Sequence, residues 1–320
     1  MILVNALREF PQLYGLTQTR LRDYTATLPE PQRAVLPRSW MNTDAELTAK
    51  PHAPLIAEFF GIADPETIAE AFVASILMEG HCCAQDARID GHSPLPAPMS
   101  ESLSNLLLAE SLARFSALSG NARALAPCVQ RAFADLADGY AAEGRVATKP
   151  EFFRSVTNRA APFHILIAAL GLHAQQPERI ETCSGMARHL LFWFQILDDL
   201  QDWPADLQRG RQSYLLHRLT PFVGARPFAE WSAQDVEEAL YLLGGVESIT
   251  DEAVAHLESA LALAEGPTLV RWIHTLIAHH RRTRRWSVER KEEFLKAHCS
   301  TGSPEAMIAF QPPSSEMTPV

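Results

Sequence analysis

Long segments with apolar residues at helical spacing dominate this chain, and strictly alternating strand patterns are nearly absent. Apolar side chains that recur every three to four residues form one face of an α-helix. In one such segment Leu103, Leu107 and Phe115 fall on the same broad face. Helices of this kind are predicted over residues 65–83, 101–118, 124–144, 150–173, 178–203, 233–245, 250–264 and 268–297. The pattern therefore predicts an all-α protein.

Glycine and proline stand where these helices have to stop. The breaks fall at residues 91–98, at Gly120 and at Gly244-Gly245. No internal repeat and no linker divides the chain. We expect a single bundle of about ten or more helices around a central cavity, formed by residues 1–300. The Pro- and Ser-rich segment 301–320 is expected to be a disordered tail.

Composition argues against several classes of protein. The net charge of −10 disfavours nonspecific nucleic-acid binding. The five cysteines show no CxxC spacing, which disfavours a disulfide framework or a zinc site and favours a reducing compartment. No stretch reaches the roughly 18 apolar residues of a membrane span, and the N-terminus does not read as a signal peptide. We therefore expect a cytoplasmic protein with no nucleic-acid partner and no membrane span.

The segment FQILDDLQDWPADLQRGRQSY, residues 194–214, carries the clearest chemical signal. Asp198, Asp202 and Asp206 are four residues apart, so a continuous helix presents them on one face. The apolar run HLLFWFQIL before them indicates that they emerge from a buried helix end. Such carboxylates need counter-charges, and Mg²⁺ binds through one or two carboxylates plus substrate phosphates. A solvated acidic helix end has the same spacing, and Pro204 is expected to disturb Asp206 most.

Asp86 and Asp90 form a second acidic pair, in HCCAQDARIDG after the apolar segment AFVASILMEG. Alone, a pair at this spacing is typical of helix surfaces. Together with the segment 194–214, it predicts two acidic clusters that face each other across a cavity of the bundle. A metal-bridged diphosphate would lie between them.

These residues resemble the motifs of the trans-polyprenyl diphosphate synthase superfamily and its terpene-cyclase relatives, which share the class I isoprenoid synthase fold. The family's second motif, FQ-x-x-DD-x-x-D, is matched by Phe194–Asp202. Its first motif, DDxxD, is matched by Asp86–Asp90, with Ala87 replacing the second Asp. Residues 106–118 and 159–171 resemble two further family helices, and DLQRGRQSY resembles squalene and phytoene synthases. The resemblance covers roughly residues 45–220.

The resemblance implies that about three Mg²⁺ ions bridge both acidic motifs to a prenyl diphosphate. The implied metal ligands are Asp86, Asp90, Asp198, Asp202 and Asp206, of which the first four are the implied catalytic residues. Asp199 is expected to support these ligands rather than to bind metal. The implied diphosphate-binding residues are Arg159 and Arg211, with Arg154, Asn158, Arg209 and Tyr214 as further candidates. Phe72, Phe163, Phe192, Trp193 and Phe194 are candidates to line the cavity, although plain core packing explains the same aromatics.

Two departures from the family narrow the expected function. Chain-elongating members carry GGKRxRP near the N-terminus and RRG after the first Asp motif, whereas residues 49–54 and 91–96 here contain no arginine. A second diphosphate would lack its cations. We therefore expect a Mg²⁺-dependent terpene synthase, a carbon–oxygen lyase that ionises one linear prenyl diphosphate, farnesyl or geranylgeranyl. It would cyclise or rearrange the prenyl chain and release diphosphate, and the family implies a homodimer.

Two alternatives stay open. The first is a prenyltransferase or polyprenyl diphosphate synthase that condenses an allylic diphosphate with an acceptor, with Lys50 as a remaining anchor. The second is a non-catalytic partner subunit of a prenyl synthase, suggested by Ala87. The basic segment 279–286 also has two interpretations, a diphosphate clamp or a surface that pairs with acidic residues.

Overall fold

The computed structural model of the chain describes residues 11–41, 52–89, 91, 93–142, 148–224 and 226–299. Within these ranges the regular structure is helical and contains no strand, which confirms the all-α prediction. The helices are α1 (Pro11–Thr25), α2 (Glu30–Arg33), α3 (Arg38–Met41), α4 (His52–Phe59), α5 (Pro65–Ile89), α6 (Ala97–Ser119), α7 (Ala122–Ala142), α8 (Lys149–Arg159), α9 (Phe163–His173), α10 (Ile180–Gln208), α11 (Tyr214–Val223), α12 (Ala233–Glu237), α13 (Gly245–Leu263) and α14 (Pro267–Cys299). A π-helical turn, Glu238–Leu242, follows α12.

Prolines explain where the helix boundaries depart from the sequence prediction. The segment 150–173 forms two helices rather than one, because Pro162 interrupts the backbone ladder between α8 and α9. Pro204, by contrast, lies inside α10, which continues to Gln208. The predicted stop at Gly120 is confirmed, since this residue ends α6 with a left-handed φ of 62° that glycine adopts without strain.

The chain divides into two compact units. The first comprises Met1–Asp138, Asn158–Gly185 and Leu263–Trp272, and the second comprises Gly139–Thr157, Met186–Ala262 and Ile273–Val320. The predicted single domain over 1–300 and its central cavity stay predictions. The tail 301–320, Lys50 and Asp90 lie outside the described residues.

The core of the first unit is built on the packing of α5 along α6, with α1, α4 and α9 against this pair. Gly80 of α5 lies close to both α6 and α3, because a Cβ atom there would be 3.2 Å from Leu107 Cδ1 of α6 and 2.7 Å from Trp40 Cη2 of α3. Phe72 of α5 and Phe115 of α6 are fully buried. Each such aromatic side chain contributes about 1.5–3 kcal/mol by leaving water.

Ion pairs join α1, α5 and α6 on their partly exposed sides. Glu70 of α5 accepts from Arg20 of α1 at 2.9 Å and from Arg114 of α6 at 2.7 Å. Arg114 also contacts Glu110 one turn earlier on α6. Because these side chains are only partly exposed, the network holds α1, α5 and α6 in register more firmly than a solvated pair would.

One helix of the described residues, α5, is long and apolar enough to cross a membrane by length and composition alone. More than half of its most apolar window, 56%, is buried inside the protein. A helix in a protein core passes the same test, so the observation is weak evidence for a span.

The N-terminus of α14 is capped by a side chain from α4. Glu58 accepts the backbone N–H groups of Thr268 at 3.0 Å and Leu269 at 2.9 Å. The first N–H groups of a helix have no partner within the helix, and the helix dipole favours a negative charge there. Glu58 thereby fixes where this helix of 33 residues begins.

Replacing Glu58 by alanine is expected to lower the free energy of unfolding by about 1–2 kcal/mol, because two N–H groups lose a charged acceptor. Glu58→Gln keeps an acceptor and is expected to lie between alanine and the native residue. Chemical denaturation followed by circular dichroism measures the order. Equal midpoints for all three proteins would contradict a capping role.

Candidate active site

The acidic residues of the second unit lie on the last three turns of α10. The apolar run before them forms the buried part of the helix, in which Phe192, Trp193 and Ile196 are at most 2% exposed. Because the helix continues through Pro204, Asp198, Asp202 and Asp206 all have helical backbone. Their environments nevertheless differ, since Asp198 and Asp202 are exposed whereas Asp206 is buried.

Asp206 is held by the turn that follows α10. Its backbone carbonyl accepts the N–H of Arg211 at 2.9 Å. Burial raises the pKa of the Asp206 carboxyl, the Arg211 charge lowers it, and neighbouring Asp202 raises it further. Because its side chain is buried, Asp206 is less available to a metal ion than its two exposed neighbours.

Asp199 is also buried, with 5% of its surface exposed. Its Oδ1 atom accepts from Gln195 Nε2 at 2.8 Å, and its Oδ2 atom accepts the backbone N–H of Leu215 at 3.1 Å. The same Gln195 nitrogen lies 3.3 Å from Asp198 Oδ2. Asp199 thus connects α10 to the first turn of α11.

Arg209 and Arg211 lie between these two helices and are both exposed. Gly210, between them, has a φ of 67°, and its N–H bonds the carbonyl of Leu207. Arg209 and Arg211 therefore present two exposed side chains on one tight turn. Arg154 of α8, another candidate in the second unit, is exposed as well.

Tyr214 begins α11 and differs from the expectation. It is buried, and its hydroxyl donates to Glu252 of α13. Burial and this hydrogen bond both raise the pKa of Tyr214. Glu252, itself 8% exposed, also pairs with Lys149 at 3.1 Å and Arg218 at 3.4 Å. The tyrosine is therefore engaged in a buried polar cluster, and we leave it out of the diphosphate-binding residues proposed below.

Phe192 lies within a cluster of rings rather than on an open wall. It contacts Phe152, Phe153, Tyr214 and His256 with ring centroids 4.0–5.8 Å apart. It has no exposed surface. Core packing, the alternative interpretation of these aromatics, describes it best.

Trp193 is fixed by a hydrogen bond at 2.7 Å from its Nε1 atom to Nε2 of His280 on α14. Phe194 follows it, half-buried, with its ring edge-on to Trp193 at a centroid distance of 5.9 Å. Of the aromatic residues predicted on this helix, Phe194 therefore has the more accessible ring.

The remaining candidates belong to the first unit. Asp86 is exposed near the end of α5. Arg159 and Asn158 are half-buried at the end of α8. Phe72 is buried in the core, and Phe163 is half-buried with its ring edge-on to His52 at 4.7 Å. The predicted arrangement of the two acidic segments around one diphosphate stays a prediction.

The basic segment 279–286 is largely occupied by partners within the second unit. Arg281 pairs with Glu258 at 2.6 Å, and Arg284 pairs with Asp251 at 2.6 Å, both on α13. His280 is buried against Trp193. These contacts agree with the interpretation of this segment as a surface that pairs with acidic residues.

Comparison with known proteins gives similarity at the level of structure. No protein-family model and no curated protein matches the sequence. A geranylgeranyl pyrophosphate synthetase from the archaeon Geoglobus acetivorans matches with a TM-score of 0.64 and 17% identity, over 83% of this chain and 98% of its own. A decaprenyl diphosphate synthase from Rhodobacter capsulatus matches with a TM-score of 0.66 and 16% identity, over 86% and 97%.

A third match is geranylgeranyl pyrophosphate synthase from Corynebacterium glutamicum, complexed with calcium and isoprenyl diphosphate. Its TM-score is 0.60 at 17% identity, over 86% of this chain and 97% of its own. This chain has the fold of the trans-polyprenyl diphosphate synthases. The fold named by the sequence resemblance, the isoprenoid synthase fold, is thereby confirmed.

Asp198 and Asp202 present two exposed carboxylates one turn apart on α10. Among the described side chains, no group of three or more His, Cys, Asp or Glu residues is gathered around one point. Mg²⁺ keeps several waters and uses one or two carboxylates plus substrate phosphates, so it does not need such a group. Structural zinc does need four protein ligands, which these residues do not supply. The number of ions stays a prediction.

His280 makes stability depend on pH. Burial, and then the neighbouring His279, lower its pKa to about 4, and its Nε2 must be unprotonated to accept from Trp193. Below the unfolded pKa of about 6.5, the unfolded chain takes up a proton that the folded protein excludes. This contribution to stability is therefore present above pH 6.5 and is lost as the pH falls towards 4.

When the pH is lowered from 7 to 4.5, the free energy of unfolding should fall by roughly 2 kcal/mol less in His280→Gln than in the native protein. The reason is that glutamine accepts a hydrogen bond without titrating. Urea denaturation at several pH values measures this difference. His274→Gln, an exposed histidine on the same helix, is the matched control. If both variants keep the native pH dependence, the buried histidine is not its source.

Proposed function

We propose that this chain is a Mg²⁺-dependent enzyme that transfers an allylic prenyl group from its diphosphate to an acceptor. The end of α10 carries the proposal, because two exposed aspartates one turn apart are followed within ten residues by two exposed arginines. The structures compared above, named as prenyl diphosphate synthases, support transfer to an acceptor more than cyclisation. The proposal therefore prefers the transferase alternative to the terpene synthase first expected.

Asp198 and Asp202 are the proposed metal ligands of the second unit. Asp86, with Asp90, is the proposed ligand of the first acidic segment. When bound, Mg²⁺ neutralises the charge that develops on the departing diphosphate. Asp206 is left out of the proposed ligands because its side chain is buried.

Arg209 and Arg211 are proposed to hold phosphate oxygens. A guanidinium group presents several N–H donors in a fixed plane, which matches the geometry of a phosphate. Such charge-assisted bonds are roughly twice as strong as neutral ones. Arg159, Arg154 and Asn158 remain proposed as further phosphate contacts.

The proposed reaction begins when the bond between C1 and the diphosphate oxygen breaks and the electron pair leaves with the oxygen. The allylic cation then gains a bond from the acceptor's electron pair, and the acceptor loses a proton. Donors aimed at the leaving oxygens lower the barrier, because they stabilise the charge where it forms. Phe194, with its half-buried ring, is the aromatic residue proposed to face the prenyl chain.

Terpene synthesis remains the second candidate, and a specific observation favours it. The segments 49–54 and 91–96, where chain-elongating relatives carry arginines, contain only Lys50 and histidines as basic residues. A second diphosphate needs fixed cations. If the protein is a transferase, its acceptor is either isopentenyl diphosphate held by few cations or a molecule without a diphosphate. Cyclisation needs no acceptor, so the lack of these arginines favours it.

Replacing Asp198 or Asp202 by alanine is expected to lower kcat by about 10²–10³-fold, because a ligand of the leaving-group metal is lost. Diphosphate release from a prenyl diphosphate at saturating Mg²⁺ measures the change. Glu181→Ala, an exposed acidic residue on the same helix, is the control and should keep native turnover. Full turnover in Asp198→Ala and Asp202→Ala would contradict the metal assignment.

The acceptor question is answered by incubating the protein with geranyl, farnesyl or geranylgeranyl diphosphate and Mg²⁺, with and without isopentenyl diphosphate. Transfer to that acceptor predicts a longer prenyl diphosphate by mass spectrometry only when it is present. A cyclic or rearranged hydrocarbon formed without acceptor would favour the terpene synthase instead. Activity that appears only after mixing with another prenyl synthase would favour the non-catalytic subunit.

A further inference from the structure

The acidic run of α10 contains two adjacent aspartates with different surroundings. Asp198 is exposed, whereas only 5% of the surface of Asp199 is exposed. Neighbouring residues on a helix point about 100° apart, so the two carboxylates reach different sides of the helix. A carboxylate removed from water requires donors, and those of Asp199 identify what it holds.

One donor to Asp199 is the backbone of another helix. Leu215, whose N–H bonds Asp199 Oδ2 at 3.1 Å, is the second residue of α11. The first N–H groups of a helix lack intrahelical partners, and the helix dipole makes that end attractive to an anion. Asp199 therefore anchors the start of α11 to the body of α10.

The segment 209–213 is fastened at both of its ends. At the α10 end, the N–H of Arg211 bonds the Asp206 carbonyl at 2.9 Å, and the N–H of Gly210 bonds the Leu207 carbonyl at 3.1 Å. At the α11 end, Asp199 holds Leu215. The span between the two anchors is short, so the position of the α11 anchor sets where Arg211 can reach.

The second oxygen of Asp199 is fixed as well. Gln195 Nε2 donates to Asp199 Oδ1 at 2.8 Å, and the same nitrogen is 3.3 Å from Asp198 Oδ2. Both oxygens of the Asp199 carboxylate therefore accept a hydrogen bond, one from α10 and one from α11. Gln195 therefore contacts both the buried Asp199 and the exposed Asp198.

We propose that Asp199 is a positioning residue, which fixes the turn carrying Arg209 and Arg211 relative to the exposed aspartates of α10. The proposal rests on the proposed function, in which that turn binds the diphosphate. Asp199 touches neither metal nor phosphate, and it acts through the backbone of Leu215.

The test uses Asp199→Asn and the binding of inorganic pyrophosphate in the presence of Mg²⁺, measured by titration calorimetry. Asparagine keeps the size of the side chain but replaces one acceptor oxygen by a donor, so Leu215 and Gln195 can no longer both donate to it. We expect pyrophosphate affinity to fall by about 10–100-fold, the effect typical of residues that orient phosphate or metal ligands.

Glu252→Gln is the matched control. Glu252 is a buried carboxylate that accepts from the hydroxyl of Tyr214 and pairs with Lys149 and Arg218, whereas the backbone N–H at the start of α11 is held by Asp199. We expect Glu252→Gln to lower the melting temperature while it retains pyrophosphate affinity within about twofold, well under the loss typical of a positioning residue. Equal losses of affinity in the two variants would overturn the proposal, because destabilisation alone would then explain both.

A double-mutant cycle with Arg211→Ala shows whether Asp199 acts through the turn. If it does, Asp199→Asn adds little further loss of pyrophosphate affinity once Arg211 is absent. Additive losses would overturn the proposal.

Gly210→Ala gives a second test that does not touch Asp199. A Cβ atom at residue 210 meets no atom within 4 Å, but the backbone there has a φ of 67°, which alanine rarely adopts, so the substitution strains the turn. Native affinity in Gly210→Ala would show that the turn's shape does not matter.

The two proposals fail separately. Turnover of a prenyl diphosphate by the native protein tests the proposed function, whereas pyrophosphate affinity tests the role of Asp199. A native protein that binds pyrophosphate but turns over no prenyl diphosphate would contradict the function and leave the positioning role standing. A native protein that does not bind Mg²⁺-pyrophosphate would overturn the positioning role.

Discussion

A carboxylate that leaves water must find donors, and in this chain the unpaired N–H groups at helix N-termini supply them. Glu58 accepts two such groups at the start of α14, and Asp199 accepts one at the start of α11. The first interaction joins residues 210 positions apart in the sequence, and the second joins α10 to the next helix, 16 positions on. The positions at which α14 and α11 begin therefore depend on these two carboxylates.

The same principle separates two kinds of aspartate on α10. Asp198 and Asp202 point to solvent. Asp199 and Asp206 are buried, and Asp199 holds the first turn of α11 through the N–H of Leu215. One short acidic run thereby supplies both exposed carboxylates and a buried one that joins two helices.

Helical periodicity predicted the all-α fold correctly, because apolar spacing reports which face of a helix is buried. It predicted one helix across Pro162, since spacing contains no information about a missing N–H group. The four-residue spacing placed Asp206 with Asp198 and Asp202, but it does not reveal that Asp206 is buried whereas the other two are exposed. That difference depends on how the rest of the chain packs against α10.

Tyr214 is a second residue whose contacts sequence spacing does not predict. Its place after a basic turn made it a reasonable phosphate donor, whereas its actual acceptor, Glu252, lies 38 residues later in the sequence. Pairings of such separation are set by how α11 and α13 pack. Motif spacing therefore indicates which residues share a face of α10, but it does not indicate which of them become buried.

Pro204 has a consequence for how the end of α10 moves. Without its N–H, the helix lacks the backbone bond that would join residue 204 to Leu200. The last turn, Ala205–Gln208, is consequently joined less strongly to the turns before it. A small bend of the helix at Pro204 would therefore move Arg209 and Arg211, which follow it, relative to Asp198 and Asp202, which precede it.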